Sequence, residues 1–320
     1  MPSWVSDAAT SGFPLRHLPL GVRRRPDGSH ALVARIGDHV ADLRVLAEIG
    51  LFDDCGAERA DFRAPALNTL IGRGNEVGER VRERLRRVLD AEPTYFNLRE
   101  RQEIFLLPLA QARLTLPVAV GDAAVVAGDA VEHLRASSFV PDGAAVRCLA
   151  VGPKSAAVTA APHLAFVTGA GSRLGHPPTA EAARDHVFGM ALVLSFRESG
   201  PGDAHGPAYA RGPARHYVSV LGPWITPAVA VSQLSLALDV TPFRRRRREV
   251  AAVDLSAEQR DGSAAVAKLT AGGARLRPGD LLLRPLPALD YADLAGGDVA
   301  ELRCTSAVTL ASAGATVLTP

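Results

Sequence analysis

Apolar and polar positions alternate over His30–Ile36, which lies between an Arg25-Pro26-Asp27-Gly28 turn and a Gly37-Asp38 turn. That pattern predicts a strand, with His39–Leu43 as the returning arm of a hairpin. From Val45 to Leu51 the spacing becomes helical. A charged amphipathic helix follows over Asn75–Leu89, its apolar stripe carried by Val77, Val81, Leu85 and Val88. Prolines return between Leu107-Pro108 and Leu116-Pro117, and the boundary between two domains, 1–116 and 117–320, is placed there. The remainder reads as short strands with frequent turns and one helix, at Thr179–Asp185. Ser199–Pro213 is dense in Gly and Pro and reads as a surface loop, a possible lid.

Composition narrows the functional classes. The 320 residues are 47% hydrophobic and 22% charged, enough apolar surface for a sizeable core. The net charge of +2 gives no reason to expect a polyanionic partner such as nucleic acid. Arg244–Arg248 is a run of five arginines, but no aromatic residues interleave with it, so it reads first as a solvated loop or edge strand. Only two of the 36 basic residues are lysines, Lys154 and Lys268, which together with the abundant alanine reflects a GC-rich bacterial coding bias. Cys55, Cys148 and Cys304 are widely separated, which excludes a disulfide framework or a thiolate zinc site. No secretory leader and no run of ~18 apolar residues is visible, so no membrane span and a cytoplasmic location are expected.

Seven phrases, in order, resemble the fumarylacetoacetase family. They are Phe13-Pro14-Leu15-Arg16-His17-Leu18-Pro19-Leu20-Gly21-Val22, Ile36–Leu43, Leu67-Asn68-Thr69-Leu70-Ile71-Gly72-Arg73-Gly74, and Leu164–Val167 leading into Gly169–Gly175. His186-Val187-Phe188-Gly189-Met190, Gly222-Pro223-Trp224-Ile225-Thr226-Pro227 and Leu276-Arg277-Pro278-Gly279-Asp280-Leu281-Leu282 complete the series. The resemblance implies a mainly β (α+β) fold: an N-terminal SH3-like β-barrel and a C-terminal mixed β-sandwich roll, in a homodimer.

That family hydrolyses a carbon–carbon bond beside two carbonyls, with a divalent cation as Lewis acid and a histidine activating water. The resemblance places its four carboxylate ligands, which a hard cation requires, at Val125, Ala161, His163 and Ser195. None is a carboxylate, so no metal and no cofactor are expected. The family's catalytic histidine falls on Glu132, with His133 one residue away; its lysine becomes Arg215 and its oxyanion-side threonine Ser219. A Gly-Thr pair is replaced by Pro285-Leu286. The stretch between Leu255 and Leu276 is short for the family, so a helix beside the pocket is expected to be absent.

Two readings of different class follow. In the first, the chain is a metal-independent enzyme of specialised metabolism whose ligand is a 1,3-dicarbonyl or polyketide-like small molecule. Cyclisation, carbon–carbon cleavage, dehydration or isomerisation then runs on proton transfer. His163 and His133 are its acid/base candidates, His163 titrating near neutral pH; Arg215 stabilises an enolate, and Ser195 or Tyr217 orients it. In the second, the chain is a non-catalytic dimeric binding or scaffold protein. An ordinary metal-dependent hydrolase ranks third, for want of carboxylates. A histidine site using His163 with His133, His205 or His216, and an acid/base pair of Glu132 with Asp129, are the remaining alternatives.

Overall fold

The structure, a computed structural model, describes residues 2–92, 95–147, 158–179, 181–198, 218–227, 233–306 and 312–318. In chain order its strands begin with β1 (Leu20–Arg24), β2 (His30–Ile36), β3 (His39–Asp42), β4 (Leu106–Pro108), β5 (Arg113–Leu114), β6 (Ala123–Ala127) and β7 (Ala130–Leu134). Then come β8 (Phe139–Pro141), β9 (Ala145–Arg147), β10 (Val158–Thr168), β11 (Val187–Glu198), β12 (Val218–Leu221) and β13 (Thr226–Pro227). The series closes with β14 (Leu234–Thr241), β15 (Arg248–Leu255), β16 (Leu281–Pro285), β17 (Tyr291–Leu294), β18 (Val299–Cys304) and β19 (Ala313–Leu318). The helices are α1 (Leu43–Glu48), α2 (Asn68–Ile71), α3 (Asn75–Leu89), α4 (Phe96–Glu100) and α5 (Ser263–Thr270).

The fold is mainly β, with few helices and several curled sheets. A first sheet has the order β4-β3-β2-β1-β5; a second runs β7-β6-β16-β10-β11-β12-β8, with β13 and β17 paired to it at the side. A third has the order β15-β14-β18-β19-β9. The second sheet lies in the middle. Its Leu164, Phe166, Leu192, Leu194 and Val220 pack into one apolar cluster with Leu236, Leu238 and Leu302 of the third sheet. Its opposite face, with Ala165, Val167, Val193, Leu221 and Leu283, joins the cluster of β1, β2 and α3. This alternation assigns the residues of β10 and β11 to one face or the other up to the register shift where Thr168 meets Val187.

Local chemistry explains where the elements begin. Asp42 ends β3 and caps α1, accepting the backbone N–H of Arg44 (3.1 Å) and Val45 (3.2 Å) and Nε of Arg23 (3.1 Å). In α3 the stripe Val77, Val81, Leu85 and Val88 is buried, as its 3.6-residue spacing requires. Two asparagines tie distant segments together. Asn68 Nδ2 donates to the carbonyls of Ala119 (2.9 Å) and Pro278 (2.7 Å), and Asn75 Nδ2 to those of Asp185 and Val187 (3.1 Å each).

Two sequence expectations need correction. The helix expected at Thr179–Asp185 is a short 3₁₀ turn, Ala182–His186. A helix does form between Leu255 and Leu276: α5 packs Ala265 and Val266 into the core. The stretch is short, but eight residues suffice for two turns.

Candidate functional site

The pairing of β10 with β11 and β12 settles which inherited positions share a face. Ala161 opposes Ser195, Thr159 opposes Arg197 and His163 opposes Val193, while Ser195 opposes Ser219. These side chains therefore stand on the face shared with the N-terminal core. Ala161, His163 and Ser195 are all buried, and Ser195 Oγ lies 2.9 Å from Ser219 Oγ. Val125, on β6, belongs to the same face through its register with Leu283. Thus Val125, Ala161, His163 and Ser195, scattered over 70 positions of sequence, share one surface.

His133 and Glu132 separate across β7. Glu132 opposes Val125, whereas His133 opposes Ala124, whose row continues to Leu282 on the far face. His133 is exposed there. Glu132 points to the inherited face, and its half-buried carboxyl has an oxygen, Oε2, sealed from solvent without a hydrogen-bond partner. A single residue of register decides which of the two reaches the site.

One cation gathers the site's ionisable groups. The charge of Arg197 reaches Glu132, His163 and Asp290, from three separate elements. Burial pushes the Glu132 carboxyl above its usual range, with Arg197 opposing. Asp290 follows the turn after β16, where Leu286 N donates to Pro162 O at 3.0 Å. It is reached by solvent, yet the protein crowding its carboxyl pushes its pKa up to about 6. His163 moves the other way: complete burial takes its pKa down to about 4, aided by Arg197 and opposed by a hydrogen bond with the Ala161 backbone. His163 is therefore a neutral imidazole at pH 7, not a group titrating near neutrality as its sequence position led us to expect.

Arg215, Tyr217, His205 and His216 lie outside the described residues, as does the whole Ser199–Pro213 segment. Sequence reasoning missed Arg197 and Asp290. Arg197 had a signal, since two residues after Ser195 on one strand it must share that residue's face. Asp290 had none, because it sits on an irregular turn.

The donor set does not fit a hard divalent cation. Val125 and Ala161 offer no donor, while a serine hydroxyl and a neutral imidazole offer no charge to offset dehydration of Mg²⁺ or Ca²⁺. Among the described residues no three of His, Cys, Asp and Glu gather closely enough to hold a metal ion. What the face offers is a positive guanidinium, the half-buried carboxyl of Glu132 and a neutral imidazole, while the solvent-reached carboxyl of Asp290 also feels the Arg197 charge.

Comparison with known proteins places this geometry. The sequence profile described as "Fumarylacetoacetase N-terminal" matches residues 16–117. The fumarylacetoacetase of Arabidopsis thaliana is 25% identical over 355 residues, covering 88% of this chain and 83% of that one. That of Dictyostelium discoideum is 25% identical over 269 residues, 70% of this chain; the match spans 62% of that protein's length, under two thirds. Among solved structures, maleylpyruvate hydrolase from Sphingobium sp. SYK-6 shares the fold, with TM-score 0.58 and 20% identity over 95% of this chain and all of that one. So does 2-hydroxyhepta-2,4-diene-1,7-dioate isomerase from Mycobacterium marinum, with TM-score 0.57 and 18% identity over 94% and 98% of the two chains. Together these findings support a divergent member of the fumarylacetoacetase family, with the sequence profile matching its N-terminal part.

Proposed function

We propose that the protein is a hydrolase- or isomerase-type enzyme that moves protons on a 1,3-dicarbonyl, polyketide-like substrate without a metal ion. The observation that carries this reading is that the charge of Arg197 acts on Glu132, His163 and Asp290, with carboxyl pKa values raised and the imidazole pKa lowered. Opposed shifts around one charge are what acid/base chemistry at neutral pH needs. In its ionised form Glu132 takes a proton from the carbon between the two carbonyls. The electron pair moves onto a carbonyl oxygen, and the enolate so formed faces Arg197 and the imidazole N–H. Return of the proton to a different carbon gives isomerisation, and loss of a β-hydroxyl, leaving as water with that proton, gives dehydration. In hydrolytic cleavage Glu132 instead takes a proton from a water that attacks one carbonyl; the carbon–carbon bond of the tetrahedral adduct breaks, its electron pair leaves as the enolate, and the enolate carbon takes the proton back from Glu132. Ser195 and Ser219 orient the oxygens, and Arg215 and Tyr217 are further enolate-binding candidates. His133, on the outer face, has no part.

The family's activities support the reaction class. The same reading includes an SH3-like barrel for residues 1–116, a β-sandwich roll for 117–320, and a homodimer. The test is ¹H NMR in D₂O with 2,4-dioxopentanoate and triacetic acid as probes. The protein should accelerate deuterium entry between the carbonyls, or cleavage, in EDTA-treated buffer. Glu132→Gln should cut the rate by about 10²-fold, the scale of a lost acid/base group. No acceleration over buffer with either probe overturns the reading. It would favour a non-catalytic binding protein, for which the complete burial of His163 and Ser195 is the supporting observation.

A further inference from the structure

A second site lies away from the His163 face. A cavity of about 630 Å³ opens between α3 and the beginning of β11, and the turn at Ala257–Gly262 closes it. Val187 and Ser195 are eight residues apart on β11, so about 26 Å of strand separates the cavity from the candidate active site. Val187, Phe188, Pro227 and Ala257 supply an apolar wall. A volume of this size is that of a small-molecule site.

Arg82 forms part of the opposite wall, and its bonding is incomplete. Its side chain is only 4% exposed. Nη2 donates to Glu79 and Nε reaches the Gly78 carbonyl at 3.5 Å, but Nη1 is buried with no hydrogen-bond partner. Glu79 is not Arg82's alone: Arg86 Nη1 holds its other oxygen at 2.8 Å. One half-exposed carboxylate thus serves two guanidinium groups. Burial and the neighbouring Arg86 both weigh on Arg82, taking its pKa down to about 10. A buried cation in this position requires another acceptor.

The rest of the wall limits what that acceptor can be. Glu76, Asp185 and Asp261 also line the cavity beside Arg184 and Arg260; with Glu79 and Arg82 that makes four acidic groups against three basic ones, a wall that disfavours a second negative charge. Asp261 already receives Arg184 at 2.9 Å. The site therefore suits one negative charge joined to an apolar body.

We propose that this cavity binds a small amphipathic monoanion, an aryl- or alkyl-carboxylate, its carboxylate on Arg82 and its apolar body against Val187, Phe188 and Pro227. The probe is 4-phenylbutyrate, with 4-phenylbutanamide as its neutral counterpart and inorganic phosphate as a dianion. Calorimetric titration of the intact protein should show saturable binding of the carboxylate, at least tenfold tighter than the amide, and no binding of phosphate. Arg82→Met should abolish that preference. Equal affinity for carboxylate and amide, tighter binding of phosphate, retained preference in Arg82→Met, or no saturable binding overturns the proposal. Should Arg82→Met fail to fold, the exposed residue Ala257 serves instead. In Ala257→Trp the indole stands at the cavity wall, and its fluorescence should change with the same midpoint as the calorimetric curve. Carboxylate binding with no change in that signal places the ligand elsewhere and overturns the assignment.

Discussion

His163→Gln should change how stability depends on pH, because burial holds the native imidazole neutral. The pKa of His163 is about 4 in the folded chain against 6.5 in the unfolded one. The folded state therefore binds fewer protons than the unfolded state throughout that window, so stability falls as pH falls from 6.5 towards 4. At pH 4.5 an unfolded histidine is almost fully protonated and the native His163 is not. Linkage gives a loss of about 2.5 kcal/mol between pH 7.5 and 4.5 from this group alone. His17, also buried with a pKa of about 4, contributes in the same direction. Asp142 and Asp290, both at about 6, contribute in the opposite one, since a raised carboxyl loses its stabilising effect as pH rises. These three remain in both proteins, so the difference between wild type and His163→Gln isolates His163. Urea unfolding of the two at pH 7.5 and 4.5, at one ionic strength, should show a gap about 2.5 kcal/mol smaller at the lower pH. A gap of the same size at both pH values would mean that the folded protein protonates His163 normally, and its role as a neutral donor would fail.

Three further changes test the surrounding structure. Arg197→Met removes the charge that holds down Glu132 and Asp290, so both carboxyls should titrate higher still, visible by ¹³C NMR of labelled side chains; unchanged values would detach Arg197 from the site. Their unfolded pKa values do not move, so this variant should lose stability relative to wild type as pH rises from 5 to 8. Titration with Mg²⁺ or Mn²⁺ should give no heat assignable to Val125, Ala161, His163 and Ser195, whereas one equivalent bound there would refute the donor-set argument. Gly21→Ala should cost about 1–3 kcal/mol by overpacking, read as a lowered urea midpoint, because its Cβ would sit 2.7 Å from the Pro223 carbonyl and 2.8 Å from the Trp224 ring.

Much of the fold was legible because the recognisable phrases are made of ties. Asn68 bridges Ala119 and Pro278, and His186 Nδ1 lies 2.7 Å from the Ala170 carbonyl. The carboxylate of Asp280 accepts the N–H of Asp122 (2.8 Å) and of Arg277 (2.7 Å). A Cβ on Gly189 would meet the Thr226 carbonyl at 2.4 Å. Such residues admit few replacements. The hairpin over β2 and β3 and the apolar stripe of α3 were legible for a simpler reason, since each follows from a single period of alternation. α5 was not legible: its apolar stripe is short, and length alone is a poor guide to whether two turns of helix form.

The site was only half legible, and the reason is geometric. Alternation on β10 put Ala161 and His163 on one face and the resemblance added Ser195, but neither could choose between Glu132 and His133 on β7. That choice rests on the pairing of β7 with β6, where Val125 meets Glu132 and Ala124 meets His133. Nor could either foresee a curled sheet in which Arg197 of β11 influences a carboxyl on β7, with three strands between them in the sheet order β7-β6-β16-β10-β11. Val125, Ala161, His163 and Ser195 offer a hard cation no carboxylate on this face, and the charge of Arg197 acts on the carboxyls of Glu132 and Asp290. A face built to fix a dication needs permanently ionised oxygens, whereas this one raises its carboxyl pKa values and keeps its imidazole neutral.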